Sequence, residues 1–160
     1  MQVNFNSFKT PAGRIYLVAK GNKLCGIAFE KQWPELKSRY SDIVEKKSPV
    51  LRRATKQLGE YFKGKRRSFD IPYTLKGTKF QKRAWEALAA IPFGKTKSYK
   101  DQAQLVRSPK AVRAIGRANG QNPLCIILPC HRVIGSNGSL TGYAGGLKIK
   151  KFLLNLERAI

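Results

Sequence analysis

Apolar and polar positions alternate through the first thirty residues. Phe5-Asn6-Ser7-Phe8 leads into a turn at Pro11-Ala12-Gly13, and Arg14 to Ala19 is rich in β-branched and aromatic residues. Gly21-Asn22 is a hairpin signal, and Leu24 to Phe29 reads as the returning strand. The expected element is a small antiparallel sheet. The period then changes. Val50, Ala54, Leu58 and Tyr61 or Phe62 recur at helical spacing, with Pro49 in the first turn and Gly64 at the stop, so a helix is expected from about Ser48 to Phe62. Lys63-Gly64-Lys65-Arg66-Arg67 is a charged loop with no assigned role, and Phe69 to Gly77 reads as a connector.

The second half is mostly helical. Thr78 and Gln81 match a capping box for a helix to about Ala90, with Phe80, Trp85, Leu88 and Ile91 as its core positions. Pro92-Phe93-Gly94 breaks it. Ser98 with Asp101 can cap a helix over Tyr99 to Val106, and Ser108-Pro109 is expected to open another that stops at Asn119-Gly120. Two short helices so closely joined suggest a helix-turn-helix. In the second, Ala111, Ala114 and Ala118 form a small-residue stripe flanked by Lys110, Arg113 and Arg117. That pattern suits a helix laid on DNA and equally suits close helix packing. The apolar run Leu124-Cys125-Ile126-Ile127-Leu128 reads as a buried strand, Gly135 to Gly146 as a hairpin or wing, and Leu147 to Arg158 as a final helix with Ile149, Leu153, Leu154 and Leu156 inward.

Charge narrows the choice of partner. The 160 residues hold 32 Lys plus Arg against 9 Asp plus Glu, a formal net charge of +23. Residues 1–76 carry 17 basic and 6 acidic groups, and residues 77–160 carry 15 and 3, so the excess is not a tail. A polyanion is the simplest partner, nucleic acid before a membrane, because no amphipathic anchor or lipidation motif is visible. No apolar run approaches the roughly 20 residues of a spanning helix, and Met1 to Thr10 is unlike a signal peptide. A cytoplasmic location is expected, or a nuclear one in a eukaryote. Three cysteines, Cys25, Cys125 and Cys130, fit a reducing compartment and not a disulfide scaffold.

The candidate chemistry sits at Pro129-Cys130-His131-Arg132-Val133, which contains the chain's one histidine. A free thiol is only about 3% thiolate at pH 7, so a nucleophilic cysteine needs a base or a positive field. His131 is the ordinary base available, and Arg132 adds positive potential. In an extended chain, neighbouring side chains point to opposite faces. Either the backbone turns sharply here or a water bridges Cys130 and His131. The carboxylates after residue 76 are Glu86, Asp101 and Glu157; Glu157, near the end of the final helix, is a natural candidate to orient the imidazole, but spacing alone does not select it. A zinc site from three cysteines and one histidine has poor spacing, since Cys130 and His131 are sequence neighbours and Cys25 lies far away. A cysteine protease needs its histidine facing the thiol from elsewhere in the chain. Cys25 and Cys125 read as small buried hydrophobes.

At these residues the chain closely resembles the O6-alkylguanine-DNA alkyltransferases, also called methylated-DNA–protein-cysteine methyltransferases. The resemblance runs through Ser98-Tyr99, Ser108 to Gly116, Asn122-Pro123, Ile127 to Ile134 and Gly142 to Leu147, then Lys150, Leu153, Leu154 and Glu157. It implies an irreversible, single-turnover repair reaction without a cofactor or metal. An alkyl group passes from O6-alkylguanine, and O4-alkylthymine as well, in double-stranded DNA to Cys130 after the nucleotide is flipped out of the helix. His131 would act as base through a water, and Glu157 would orient it. Asn122 would order the active-site turn. Tyr99 would help rotate the nucleotide and donate a proton. Arg113 would enter the duplex as a finger, with Lys110, Ala111, Ala114, Gly116, Arg117 and Ala118 along the DNA-binding helix. Tyr143, Gly145 and the backbone of Val133 and Ala144 would line the base pocket.

The implied fold is α/β in the α+β sense. Residues 1–76 would form a ribonuclease H-like domain, and residues 77–160 a winged-helix-like DNA-binding domain that carries the acceptor cysteine. A monomer that binds no membrane is expected. Ala144 stands where some members have serine, which bears on tolerance for bulky alkyl groups. Some members hold structural zinc in the N-terminal domain, which a single histidine disfavours. A cysteine-rich N-terminal extension of the adaptive-response kind is not expected. Cys130 itself separates the chain from the alkyltransferase-like relatives that lack the acceptor.

Overall fold

Two tight turns build the first sheet. β1 (Val3–Thr10) pairs antiparallel with β2 (Gly13–Lys20), from Val3↔Lys20 to Thr10↔Gly13. Gly13 has φ +108, and the Thr10 side chain closes the turn by donating to the Gly13 carbonyl and accepting from the Ala12 amide. β2 then pairs with β3 (Lys23–Phe29) across Gly21-Asn22, with a bulge at Val18/Ala19. This computed structural model describes residues 2–160. The chain divides into two compact units, the first ending at Leu75 and the second covering Lys76–Ile160.

The first unit adds three elements: α1 (Trp33–Ser38), β4 (Ile43–Glu45) and α2 (Pro49–Phe62). β4 lies beside β1 and parallel to it, giving the order β3-β2-β1-β4. With three residues it is too short to show a period of two in the sequence. α2 packs across β1, β2 and β3, burying Val50, Leu51, Ala54, Leu58, Tyr61 and Phe62. The connector also joins the sheet edge: Leu24 donates to the Pro72 carbonyl, and its own carbonyl accepts from Thr74.

The second unit begins with α3 (Lys79–Leu88), opened by the Thr78–Gln81 capping box. α4 (Tyr99–Leu105) opens with a second box from Ser98 and Asp101. α5 (Val112–Gly120) completes the trio. Small residues let the three approach closely, with Ala84, Ala103, Val106, Ile115 and Ala118 forming a buried cluster against Phe80 and Tyr99. The Trp85 indole donates to the Ala118 carbonyl at 2.7 Å. Gln102 and Asn119 bond each other in both directions, at 2.9 and 2.7 Å, fixing α4 to α5.

Three sequence expectations fail here. α5 starts at Val112, not after Ser108, because Ser108 and Pro109 belong to a turn. Ser108 donates to Ala103, its carbonyl accepts from Ala111, and Arg107 takes φ +58. The apolar run is not a strand. Ile126 has φ +74, and Asn122 bonds both the Leu124 amide and the Leu128 carbonyl, so the segment curls into a buried loop. Gly135 to Gly146 forms no hairpin ladder. β6 (Val133–Ile134) pairs in parallel with β5 (Lys97–Ser98), and the loop after it closes by Gly135 donating to Ser139. α6 (Leu147–Leu156) ends the unit with Leu153 and Leu154 fully buried. No helix among the described residues is long and apolar enough to cross a membrane.

Candidate active site

The buried loop delivers Cys130 into a single 3-10 turn, Cys130–Arg132, tied by Cys130 donating to Leu128 and Arg132 donating to Pro129. The sequence left open whether the backbone turns sharply or stays extended at this point; it turns. Cys130 is 7% exposed and borders a cavity of about 180 Å³, too small for a drug-sized ligand. One wall comes from α5, through Gly116, Asn119 and Gly120. The other comes from Tyr99 and from Gly142, Tyr143 and Ala144 of the long loop.

Behind the cysteine lies a buried polar chain. His131 Nε2 and Glu157 Oε2 are 2.6 Å apart, both side chains wholly buried. The other carboxylate oxygen accepts from Arg132 Nε at 2.8 Å, and a second guanidinium nitrogen reaches Oε2 at 3.1 Å. Arg132 also donates to the Ile91 carbonyl at 2.7 Å, and the Gly94 amide donates to Glu157. This fork satisfies the buried carboxylate, which a lone imidazole could not do.

The same contacts fix the histidine's protons. Burial, by its desolvation cost, holds the imidazole below its ordinary pKa, against the pull of Glu157, and the charges of Arg132 and Lys150 add to the lowering. A neutral imidazole beside an ionised carboxylate must donate from Nε2. Nδ1 is then the basic nitrogen, and it is buried with no hydrogen-bond partner among the described residues.

Lys150 belongs to the residues that carry the resemblance, yet the sequence reading assigns it no role. Its side chain is fully buried, and Nζ donates to the carbonyls of Val133, Thr141 and Gly142 at 2.6, 3.0 and 3.1 Å. Desolvation lowers its pKa to about 8. All three ammonium hydrogens are taken, so Lys150 acts on the site as a fixed charge and as the anchor of the long loop. Burial raises the Cys130 thiol, while a hydrogen bond from the Asn122 side chain and the charge of Lys150 work against that rise. A signal for Lys150 was present: a lysine three and four residues before Leu153 and Leu154 stands on the helix's apolar side.

Two family models match the chain. Residues 4–75 match the 6-O-methylguanine DNA methyltransferase ribonuclease-like domain, and residues 79–159 match the 6-O-methylguanine DNA methyltransferase DNA binding domain. The chain belongs to the 6-O-methylguanine DNA methyltransferase family. Among its relatives, the constitutive methylated-DNA–protein-cysteine methyltransferase of Bacillus subtilis is 44% identical, over 96% of this chain and 94% of its own. The methylated-DNA–protein-cysteine methyltransferase of Methanosarcina acetivorans is 46% identical, over 94% and 95%. The crystal structure of Mycobacterium tuberculosis OGT in complex with DNA superposes with a TM-score of 0.89 at 41% identity, covering 97% of this chain and 92% of that one.

Against the methyltransferase expectation, most of the named residues converge. Cys130, His131, Glu157 and Asn122 form one cluster, and Tyr99, Tyr143, Ala144 and Gly116 meet at its cavity. Arg113, Ala114, Arg117 and Lys110 are exposed, and Ala111 is half-buried at the entry to α5. Others depart. Ala118 is 2% exposed, its carbonyl occupied by Trp85, so its side chain serves the core and cannot face DNA. Val133 is fully buried with its carbonyl held by Lys150, and neither it nor Gly145 borders the cavity. The Tyr99 hydroxyl donates to the Thr141 carbonyl at 2.6 Å, so it must change partner before it can serve a leaving base. Among the described residues no three His, Cys, Asp or Glu side chains gather as a metal would require.

Proposed function

We propose that this chain repairs DNA by direct reversal, taking the alkyl group of O6-alkylguanine in a duplex onto Sγ of Cys130, once per molecule. The observation that carries the reading is the arrangement around Cys130. The thiol opens on a small cavity walled in part by the basic helix α5, and behind it a neutral imidazole keeps one basic nitrogen free.

The chemistry follows in order. The alkylated nucleotide leaves the stack, at a cost of a few kcal/mol that weak pairing reduces. Arg113 enters the gap, and Lys110 and Arg117 hold phosphates. Through a bridging water, His131 Nδ1 takes the thiol proton. Glu157 then faces an imidazolium, with Arg132 balancing the carboxylate. Asn122 and Lys150 stabilise the thiolate. Sulfur attacks the alkyl carbon, an S–C bond forms, and the C–O6 bond breaks with its electron pair on the guanine oxygen. The base regains a proton, supplied by Tyr99 and ultimately by His131. The thioether has no labile leaving group, so the protein is spent. Every residue in this sequence lies in the second unit of one chain, and the working form is a monomer located with the cell's DNA.

The test is a titration. With a tenfold excess of duplex carrying O6-methylguanine, one methyl group is lost per protein molecule and the reaction then stops. Continued turnover, or no loss at all, contradicts the proposal.

A further inference from the structure

Helix α2 carries charge that the alkyl-transfer site does not use. Its inner side is fixed by the apolar residues already named and by Gln57, which donates to the Asp70 carbonyl and accepts from the Asp70 amide at 2.9 Å. Its outer side presents Arg52, Lys56, Gly59 and then Lys63 at the end, spaced four, three and four residues apart, which places them in one row. Arg52, Lys56 and Lys63 are exposed. Eleven residues at about 1.5 Å each make a rail of roughly 16 Å.

The acids of this helix and its connector are already paired. Glu60, the helix's acid, is held by Arg66 at 3.0 Å, and Asp70 by Arg53 at 2.7 Å. Among the described residues no ion pair reaches Arg52, Lys56 or Lys63. Like charges four residues apart work against a helix, so the row opposes the element that carries it. A Cβ placed on Gly59 would meet nothing within 4 Å, which leaves the middle of the rail open to a close approach. Lys46 and Lys47 extend the run before the helix and Lys65 after it, all exposed.

The partner must be anionic, extended and indifferent to side-chain detail. A membrane surface needs a helix with a free apolar face, and the apolar face of α2 is spent on the sheet. A duplex backbone fits, because it offers closely spaced phosphates along a line. We propose that the outer row of α2 is a second, sequence-independent contact for the DNA backbone, borne by the first unit and additional to α5. The choice of DNA among polyanions rests on the repair reading above.

The test uses the full chain and an undamaged duplex. One variant combines Arg52→Gln, Lys56→Gln and Lys63→Gln. A control removes the same charge at exposed positions elsewhere in the unit, with Lys20→Gln, Lys23→Gln and Lys31→Gln. Log affinity is plotted against log salt concentration. The row variant should lose about 2.7 from the magnitude of the slope, the value for three phosphate contacts, and the control should stay near the unaltered protein. Methyl transfer from free O6-methylguanine base, which has no phosphate, should be equal in all three. Equal slopes in all three proteins overturn the proposal. So does an equal loss in control and row variant, or a loss seen only with anionic phospholipid vesicles. If the unaltered protein transfers no methyl group, the repair reading fails, and the slope comparison still decides this one.

Discussion

Cys125 and Cys130 lie five residues apart on one curled loop, and both are hidden, at 8% and 7% exposure. Burial raises both thiols. For Cys125 the next influence is repulsion from Cys130, which raises it further, to well above its ordinary value. For Cys130 the next influences are the Asn122 side chain and the Lys150 charge, which both lower it. Cys130 also borders a cavity and precedes His131, whereas Cys125 does not line that cavity. Burial alone therefore makes an inert thiol. At Cys130 the polar shell works against that burial, and a cavity gives a substrate a way in.

The sharpest way to break this contrast is Cys130→Ala. Single-turnover transfer should fall below detection while duplex binding is kept; residual transfer at a tenth of the normal rate would mean that another cysteine accepts. Next is the base. His131→Ala should slow transfer about 100- to 10,000-fold, the range for loss of general acid–base catalysis. Glu157→Gln should fall in the same direction by less, since the imidazole loses its orienting carboxylate and Arg132 loses a buried partner. A change under threefold in quenched-flow rates for both would remove this pair from the mechanism.

Lys150→Met should lower the rate, because the Cys130 thiol loses the positive charge that works against its rise on burial. A maleimide-type titration should show the Cys130 thiol moved upward. A buried amine with two hydrogens also cannot serve three carbonyls, so above pH about 8 the unaltered protein should begin to loosen the loop at Thr141 and Gly142. Amide exchange in that loop as a function of pH reads this directly.

Acid should weaken the fold through His131. The folded pKa of His131 lies below its ordinary 6.5. Above pH 6.5 both folded and unfolded chains hold it neutral. As pH falls through 6.5 the unfolded chain takes a proton that the fold refuses, so stability drops, by at most about 1.4 kcal/mol per pH unit. Urea midpoints at pH 7 and pH 5 should differ less in His131→Gln than in the unaltered protein. The smallest effect belongs to the other cysteine. Cys125→Ala should cost about 1 kcal/mol of stability for a small cavity, with a transfer rate within twofold of the original.

Much of this was legible in the sequence where local signals govern local structure. Both capping boxes, the two hairpin turns and the α2 stripe depend on residues within a few positions of each other. The failures share a cause of the opposite kind. Leu124 to Leu128 has a strand's composition, yet one asparagine just upstream bonds both ends of it and coils it. Ala118 has the composition of a groove-facing residue, yet α3 covers it. The cysteine and the chain's one histidine stood out as neighbours in the sequence, but Glu157 took its role from the resemblance, since spacing did not select it. Its place depends on α6 returning to the 3-10 turn. Lys150 and the two-way tie of Gln102 to Asn119 were readable only as polar residues on inward faces, and their partners come from distant segments.

One sulfur, of the three in the chain's cysteines, is expected to accept the alkyl group. Duplex DNA bearing O6-methylguanine labelled in the methyl group should be incubated with the protein, which is then digested and its peptides mapped by mass. One label per protein molecule is expected, on the peptide containing Cys130 and absent from those of Cys25 and Cys125 once the two loop cysteines are resolved by fragmentation. Label on Cys125 or Cys25, or binding of the duplex with no label on the protein, would contradict it.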